Sequence, residues 1–195
     1  MILHRARVWA ARIAGMNPSS KLLPVTEGAR KRCFDPVVDA NTRLLVLGSL
    51  PGQKSLDSAQ YYANPQNRFW KLMSAVTGRE LLELEYPERL QALQEAGVGL
   101  WDVVAEARRE GSLDSDIRDR ADNDLAALAA SLPLLETIAF NGGTAATLGI
   151  KALGSLAARY RIVLLPSSSP AYTLAYAEKL RLWAVLRPGL NNKAP

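Results

Sequence analysis

The sequence predicts an α/β fold, a three-layer α/β/α arrangement in which helices cover both faces of a central, mostly parallel four-stranded sheet. Four short apolar runs alternate with longer amphipathic segments, and this alternation is typical of such folds. The chain has 195 residues, of which 48% are hydrophobic, and this suits one compact domain with a substantial core. The four predicted strands are Arg43–Gly48, Gly99–Val104, Glu136–Phe140 and Arg161–Leu165.

The first half of the domain combines one strand with two predicted helices. The first strand is a continuous apolar run that ends at glycine and enters the turn Ser49–Gly52. Asn64-Pro65 predicts the start of a helix, because asparagine caps helices and proline suits the first helical position. Helical spacing of apolar residues continues this segment to Gly78. A second helix is predicted over Pro87–Ala96.

The second half repeats the alternation of strands and helices. Residues 105–124, after the second strand, are polar and acid-rich, so we predict a loop there. A helix is predicted over Asp122–Ser131. The third and fourth strands are each followed by a helical pattern, and we expect these helices to end near Ala158 and Leu186.

The charge of the chain is concentrated at its N-terminus. The formal net charge is +5, but residues 1–32 alone hold seven basic residues and one acid, a balance of +6. The remaining residues carry 17 basic and 18 acidic groups, a balance of −1. This basic N-terminal arm could approach phosphates electrostatically. The alternative interpretation is a solvated, disordered tail.

Several classes of protein and site are excluded by composition. Cys33 is the only cysteine and His4 the only histidine, so one chain cannot form a disulfide, a Cys/His zinc site or a four-cysteine iron–sulfur site. No apolar run approaches the roughly 18 residues of a membrane span. We therefore expect a protein of the reducing cytoplasm with no membrane partner, no metal and no cofactor.

Loops at one rim of the sheet are the expected place for a binding site. Ligands of parallel α/β sheets bind beyond the carboxyl ends of the strands, so loops 48–52, 141–143 and 166–170 should lie together. Glycine-rich turns allow close backbone approach, and a Ser-Pro helix start caps the helix and favours phosphate. Each loop is equally explained as an ordinary turn or cap. The candidate binding residues on these loops are Gly48, Ser49, Pro51, Gly52, Ser167, Ser168 and Ser169.

Aromatic and amide side chains form a second group of candidates. Tyr62 and Asn67 belong to the unusual segment 61–70, YYANPQNRFW. An aromatic ring can stack on a planar base, and carboxamides can orient a water or read a base edge. Asn141 follows a buried strand and could read a base edge or simply form a turn. Asp102, at another strand end, is a weaker candidate for base contact than for a structural role.

These segments together resemble the hypoxanthine-DNA glycosylase branch of the uracil-DNA glycosylase superfamily. The block at 61–70 is the most specific part, and its Pro-x-Asn-Arg-Phe-Trp core is also similar to the mismatch-specific uracil glycosylases. The resemblance runs from about Cys33 to Leu186 and does not cover residues 1–32. The segments that carry it are Gly48–Gly52, Tyr61–Trp70, Gly111–Ile117, Phe140–Gly142 and Leu165–Ala171.

The resemblance implies a catalytic domain over 33–195 that flips a damaged nucleotide from DNA and hydrolyses its N-glycosidic bond, most directly that of deoxyinosine. It implies a catalytic amide at Asn67 and a second functional amide at Asn141. We assign Asn67 to positioning water, Tyr62 to stacking on the base, Asn141 to the base edge, and the rim loops to flanking phosphates. The implied partner is double- or single-stranded DNA with deaminated bases, bound by a monomer.

Two positions depart from the uracil enzymes. Leu50 stands where mismatch-specific relatives carry a catalytic Asn, in a motif where uracil enzymes carry an acid. Ser167 stands where these groups carry His or Asn. The departure at Leu50 argues against strong uracil excision and matches the hypoxanthine branch. Without a catalytic histidine at Ser167, the leaving base must be stabilised by amides, hydroxyls and backbone N–H groups. The alternatives are a uracil or mismatch-specific glycosylase of the same fold, a non-catalytic damaged-DNA-binding module, and a hydrolase of free nucleosides or nucleotides.

Overall fold

The structure is a computed structural model that describes residues 30–187, so most of the predicted N-terminal arm lies outside the described residues. None of the helices in this range is long and apolar enough to cross a membrane. In chain order the elements are β1 (Arg30–Arg32), β2 (Leu44–Gly48), α1 (Gln53–Ser58), α2 (Phe69–Thr77), α3 (Tyr86–Glu95), β3 (Val98–Asp102), β4 (Val104–Arg108), β5 (Arg118–Asp122), α4 (Leu125–Ser131), β6 (Thr137–Asn141), α5 (Gly143–Leu153), β7 (Arg161–Leu165) and α6 (Tyr176–Trp183).

The central sheet has four strands in the order β3-β2-β6-β7, and each neighbouring pair is parallel. The two middle strands, β2 and β6, are buried along their whole length. Burial on both faces explains why these strands are almost continuously apolar in sequence. The predicted four-stranded parallel sheet is confirmed.

Helices cover both faces of this sheet. Leu44 and Val46 of β2 belong to a core shared with α2, α3 and α6, whereas Leu45 and Leu47 belong to a core shared with α4 and α5. Successive side chains of a strand point to opposite faces, so one short run supplies both cores. The predicted three-layer α/β/α fold is therefore confirmed.

A second, antiparallel sheet was not expected from the sequence. Its strand order is β1-β4-β5, and two of its strands, β4 and β5, lie largely within the region 105–124 that we predicted as a loop. That prediction was wrong because β5, the sequence Arg-Asp-Arg-Ala-Asp, is exposed at every position. Backbone hydrogen bonds to β4 hold β5 in the sheet. Its sequence therefore needs no alternating apolar pattern. The last three residues of the predicted arm form β1 in this sheet.

The start of α2 differs from the prediction. The helix begins at Phe69 and not at Asn64-Pro65. Asn64 Oδ1 accepts a hydrogen bond from the Gln66 N–H (3.0 Å), and Asn67 Oδ1 accepts one from the Phe69 N–H (3.0 Å). Asparagine side chains that bond the backbone two residues on form turns instead of helix.

Other helix boundaries also differ. The predicted helix start at Ser169-Pro170 was wrong, because α6 begins at Tyr176 and the Ser169 hydroxyl instead accepts from the Ala171 N–H (3.2 Å). α5 and α6 each end early and continue as a 3₁₀ turn. The short helix α1 was not predicted. It has six residues and no capping side chain at Gly52, so its sequence carries no start signal.

Candidate active site

A cavity of about 380 Å³ opens at the carboxyl ends of β2, β3 and β6, beside the loop that follows β7. The structure brings every sequence-predicted site residue to its wall, although they come from five separate segments. These residues are Gly48, Ser49, Pro51, Gly52, Tyr62, Asn67, Asp102, Asn141, Ser167, Ser168 and Ser169. Their convergence follows from the parallel sheet, and their individual roles stay predictions.

Asp102 lies at the deep end of the cavity. Its side chain is 3% exposed, and its Oδ2 atom has no hydrogen-bond partner among residues 30–187. Burial raises the pKa of Asp102 to about 7, although the Tyr61 hydroxyl and the Arg109 guanidinium favour the charged form. An unpartnered buried carboxyl group is costly, so this oxygen is available to a ligand that enters the cavity.

Gly48 makes room for that carboxyl group. A Cβ atom at residue 48 would lie 2.6 Å from Asp102 Oδ1 and 3.4 Å from the Tyr62 hydroxyl oxygen. The first distance is too short for two non-bonded atoms. The glycine that ends β2 is therefore required by close packing of side chains at the cavity floor.

Tyr62 forms part of the wall in a left-handed backbone conformation, with φ of 56°. Its ring stacks on Phe69 with the centroids 3.7 Å apart and the planes 13° apart. Its hydroxyl accepts a hydrogen bond from Asn141 Nδ2 at 3.2 Å. Burial raises the pKa of Tyr62, so the hydroxyl keeps its proton. A left-handed tyrosine is uncommon and strained, and these two contacts hold it in place.

Asn141 makes more hydrogen bonds within the protein than the sequence suggested. Its Nδ2 atom donates to the Ser168 hydroxyl (2.9 Å) and to Tyr62, and its Oδ1 atom accepts from the Ser168 N–H (2.8 Å). An amide side chain has two donor hydrogens and two acceptor lone pairs. Asn141 thus retains one acceptor lone pair, and it ties the loop after β7 to the end of β6.

Asn67 is half-buried and less constrained. Its Oδ1 atom bonds the first turn of α2, as described above, and its Nδ2 atom has no hydrogen-bond partner within residues 30–187. The amide group is thus fixed at one atom and free at the other. This geometry suits a side chain that is held in place and still able to bond a water or substrate atom.

The serine loop between β7 and α6 is organised by its own hydroxyl groups and by a buried lysine. Ser167 Oγ accepts from the Ser169 N–H (3.2 Å), and Lys179 Nζ donates to the Ser169 carbonyl oxygen (3.1 Å). Ser168 is fully buried and Lys179 is nearly so. The opposite wall ends at the first turn of α5, where Gly142 provides no capping side chain. Gly142, Gly143 and Thr144 at this helix start line the cavity.

Sequence reasoning missed the wall contributed by the second sheet. The hydroxyl of Ser49 donates to Asp114 Oδ1 (2.6 Å), and the Gln53 N–H donates to the Ser112 hydroxyl (2.9 Å). The fully buried guanidinium of Arg109 donates to the carbonyl oxygens of Leu50 (3.1 Å) and Pro51. We call residues 109–114 the brace loop. Residues 111–117, which overlap the brace loop, form one of the motifs that resemble the glycosylase family. This motif was the sequence signal that could have pointed to Asp114.

Comparisons with known proteins bear on the family of this chain. Residues 36–188 match the model of the uracil DNA glycosylase superfamily. A Methanosarcina barkeri protein named hypoxanthine DNA glycosylase is 37% identical over 157 residues, which cover 80% of this chain and 96% of that protein. A protein of the same name from Methanosarcina acetivorans is 41% identical over 143 residues, covering 72% of this chain and 87% of that protein.

The fold is shared with a solved structure. The solution NMR structure of a Methanosarcina acetivorans protein, described as a uracil DNA glycosylase, aligns with a TM-score of 0.72 and 38% identity over 83% of this chain and 99% of that one. The resemblance seen in the motifs is confirmed by these matches. This chain belongs to the uracil DNA glycosylase superfamily.

Proposed function

We propose that this chain is a DNA repair glycosylase that removes deaminated bases, hypoxanthine first among them, by hydrolysing the N-glycosidic bond. The observation that best supports this proposal is that the amide side chains of Asn67 and Asn141 line one cavity, whose floor is buried and whose mouth is open. The names of its two similar relatives support hypoxanthine as the base.

The depth of the cavity determines which part of a flipped nucleotide lies at the floor and which part lies at the mouth. A nucleotide remains attached to its strand by two phosphates, so its base must enter first and its sugar follows. Asp102, Asn141 and Ser168 are buried at the floor, whereas Leu113 and Tyr172 are exposed at the mouth. The base therefore occupies the floor, and the phosphates stay near the mouth.

The floor presents groups that match a deaminated base. Hypoxanthine offers a carbonyl oxygen and a ring N–H on the edge where adenine offers an amine and a bare nitrogen. The Tyr62 hydroxyl accepts from Asn141, so its own hydrogen is free to bond the carbonyl. The remaining lone pair of Asn141 Oδ1 suits the ring N–H. A site whose donor and acceptor match hypoxanthine leaves those groups unpaired when adenine enters. The site therefore discriminates against adenine.

The free amide of Asn67 suits the attacking water. A neutral amide is a weak base, but positioning a nucleophile can contribute several kcal/mol to catalysis. Charge that develops on the leaving base is stabilised by preorganised donors, here the Tyr62 hydroxyl and the amides at the start of α5. Inosine pairs weakly, and this lowers the cost of flipping, about a few kcal/mol for an ordinary base.

Leu50 supports hypoxanthine over uracil. It is buried and packs in a small core with Val104 and Ala107, so the loop after β2 places neither an acid nor an amide at this position. The remaining proposals are that single- or double-stranded DNA is the partner, that the protein acts as a monomer, and that it works in a reducing cytoplasm. The lone cysteine supports the last of these.

The test is single-turnover excision from otherwise identical duplexes that carry hypoxanthine, uracil, xanthine or normal bases. Asn67→Ala should slow hypoxanthine release by at least about 100-fold, equivalent to about 2.7 kcal/mol of barrier, with little change in affinity for abasic product DNA. Gln66→Ala is the matched control, because Gln66 is exposed, adjacent and outside the cavity. Losing the Asn67 turn bond should cost about 1 kcal/mol of stability, which a thermal melt would show.

Three results would contradict parts of the proposal. A wild-type protein that binds damaged DNA tightly and releases no base would favour the damaged-DNA-binding module. Uracil released faster than hypoxanthine would favour the uracil glycosylase alternative. A folded Asn67→Ala variant with wild-type turnover would remove Asn67 from the mechanism.

A further inference from the structure

The reaction needs a group that the two asparagines cannot supply. When water attacks the sugar carbon, the C1′–N bond breaks, its electron pair leaves with the base, and the attacking water must lose a proton. Positive charge also develops on the sugar. Amide groups do not accept a proton near neutral pH, so a carboxylate close to the sugar would assist both events. Among the described residues that line the cavity, the carboxyl groups are those of Asp102 and Asp114.

The two carboxyl groups differ in depth and in partners. Asp102 is at the floor, 3% exposed, next to where the base would lie. Asp114 is on the brace loop with a side chain 38% exposed, and it lines the cavity closer to the mouth. Carboxyl groups with such different environments commonly take different roles in one active site. Burial raises the pKa of Asp102 to about 7, so much of it is neutral near that pH.

Asp114 is held by a specific set of contacts. It accepts the Ser49 hydroxyl hydrogen at 2.6 Å, and Arg109 Nη1 lies 4.0 Å away. Arg109 directs its hydrogen bonds to the Leu50 and Pro51 carbonyl oxygens, so it fixes the brace loop and the loop after β2 against each other. The hydroxyl oxygen of Ser49 keeps lone pairs that can accept from a water.

We propose that Asp114, with Ser49, is the carboxylate of the reaction: it faces the deoxyribose, stabilises the positive charge on the sugar, and takes the proton of the attacking water. This inference rests on the proposed glycosylase function. The proton moves to Asp114 directly, or Ser49 passes its own proton to Asp114 and takes one from the water. The departing base takes a proton from solvent, and Asp114 returns its proton to solvent, so the sum is addition of one water across the bond.

The second sheet acquires a function through this assignment. It carries the brace loop to the cavity mouth, at the depth where a sugar follows a base bound at the floor. Leu50 leaves the loop after β2 without an ionisable side chain near that sugar. The brace loop supplies the missing carboxylate, because Asp114 bonds the hydroxyl of Ser49 in the loop after β2.

The experiment compares Asp114→Asn with Asp116→Asn in single-turnover excision of hypoxanthine. Asparagine keeps an oxygen for the Ser49 hydroxyl, so the brace loop should fold, and thermal melts check this. Asp116 lies two residues away, outside the cavity, and its replacement removes the same charge. We expect Asp114→Asn to lower the rate at least about 100-fold and Asp116→Asn to change it less than about threefold. Both should bind abasic DNA at least as tightly as the wild type.

A second variant separates chemistry from structure. Asp114→Gly should be inactive and should recover activity when formate is added, because formate can occupy the space of the missing carboxylate. A residue that only supports the loop would show no such rescue. Ser49→Ala should add little to Asp114→Asn, because both act on one path.

The outcomes distinguish the two proposals. A wild-type protein that releases no base from any duplex overturns the glycosylase function and this inference with it. A wild-type protein that releases hypoxanthine, together with an Asp114→Asn rate within threefold of it, overturns this inference alone. Loss of rate in Asp114→Gly without formate rescue also overturns it.

Discussion

The buried carboxyl group of Asp102 should make the stability of this protein depend on pH in an unusual direction. In most proteins, paired carboxylates have lowered pKa values, and stability is lost as the pH falls. Here burial raises the pKa of Asp102 from 3.8 to about 7. Between these values the native state holds a proton that the unfolded state has released. The contribution of Asp102 to stability therefore falls as the pH rises through this range.

The size of the effect follows from the two pKa values. A gap of about three pH units corresponds to about 4 kcal/mol. Less than half of this is already lost at pH 5, where the unfolded carboxyl group is largely ionised, and roughly 2–3 kcal/mol is lost between pH 5 and pH 8. For a chain of this size, that second part corresponds to roughly 5–10 °C in Tm.

Asp102→Asn is the perturbation that isolates this effect. Asparagine is neutral at every pH, and its amide can donate to the Tyr61 hydroxyl, which is itself buried without a partner among residues 30–187. The other groups that interact electrostatically with Asp102 are Cys33, Tyr62, Arg109 and Asp114, and all are present in both proteins. Effects that do not depend on the charge of residue 102 therefore cancel in the difference.

The assay is thermal or urea unfolding of both proteins at pH 5, 6, 7 and 8. The stability of the wild type relative to Asp102→Asn should decline by roughly 2–3 kcal/mol from pH 5 to pH 8. Parallel curves for the two proteins would refute the reasoning. They would mean that water or a rearranged partner solvates this carboxylate in the native state.

Three further predictions concern the cavity wall and the N-terminal arm. Tyr62→Phe should slow excision because it removes the hydroxyl that bonds Asn141 and faces the base carbonyl, and Tyr62→Ala should slow it further because it also removes base stacking, worth about 1–3 kcal/mol; equal rates would refute stacking. Gly48→Ala should lower both Tm and activity, since its Cβ would lie 2.6 Å from an Asp102 carboxyl oxygen, whereas a Cβ at Gly143 meets nothing within 4 Å, so Gly143→Ala should keep the wild-type Tm. Deleting residues 1–29, which leaves β1 intact, should weaken DNA binding and flatten its salt dependence by up to about 0.9 for each phosphate that the arm had neutralised; an unchanged slope would indicate a solvated tail.

The part of the fold that sequence predicts well is the part in which burial dictates composition. The central strands are enclosed on both faces, so their residues must be apolar, and the parallel order then brings the loops after them to one edge. This is why residues as far apart as Gly48 and Ser169 could be expected at one site. No comparable constraint acts on β5, which is exposed throughout.

The sequence was least informative where polar side chains compete with the backbone. Asn64 and Asn67 resemble helix caps, yet their side-chain bonds build turns that delay α2 by several residues. Ser169 behaves in the same way before α6. Asp114 was overlooked for a different reason. Its motif 111–117 was visible in the sequence, but its partner Ser49 is 65 positions away, so nothing local showed that Asp114 reaches the site.

The two asparagines, to which the sequence analysis assigned different roles, also differ in how many hydrogen bonds they make within the protein. Asn141 uses both donor hydrogens and one acceptor lone pair within the protein, so replacing it would release Tyr62 and Ser168 together. Its replacement should disturb the floor for every base, in addition to removing one bond to the base edge. Asn67 is anchored by one oxygen and has an unused amide group. Apart from the small loss of stability from its turn bond, a defect at Asn67 should appear in the chemical step and not in DNA affinity, and this contrast is why Asn67 is the sharper test of mechanism.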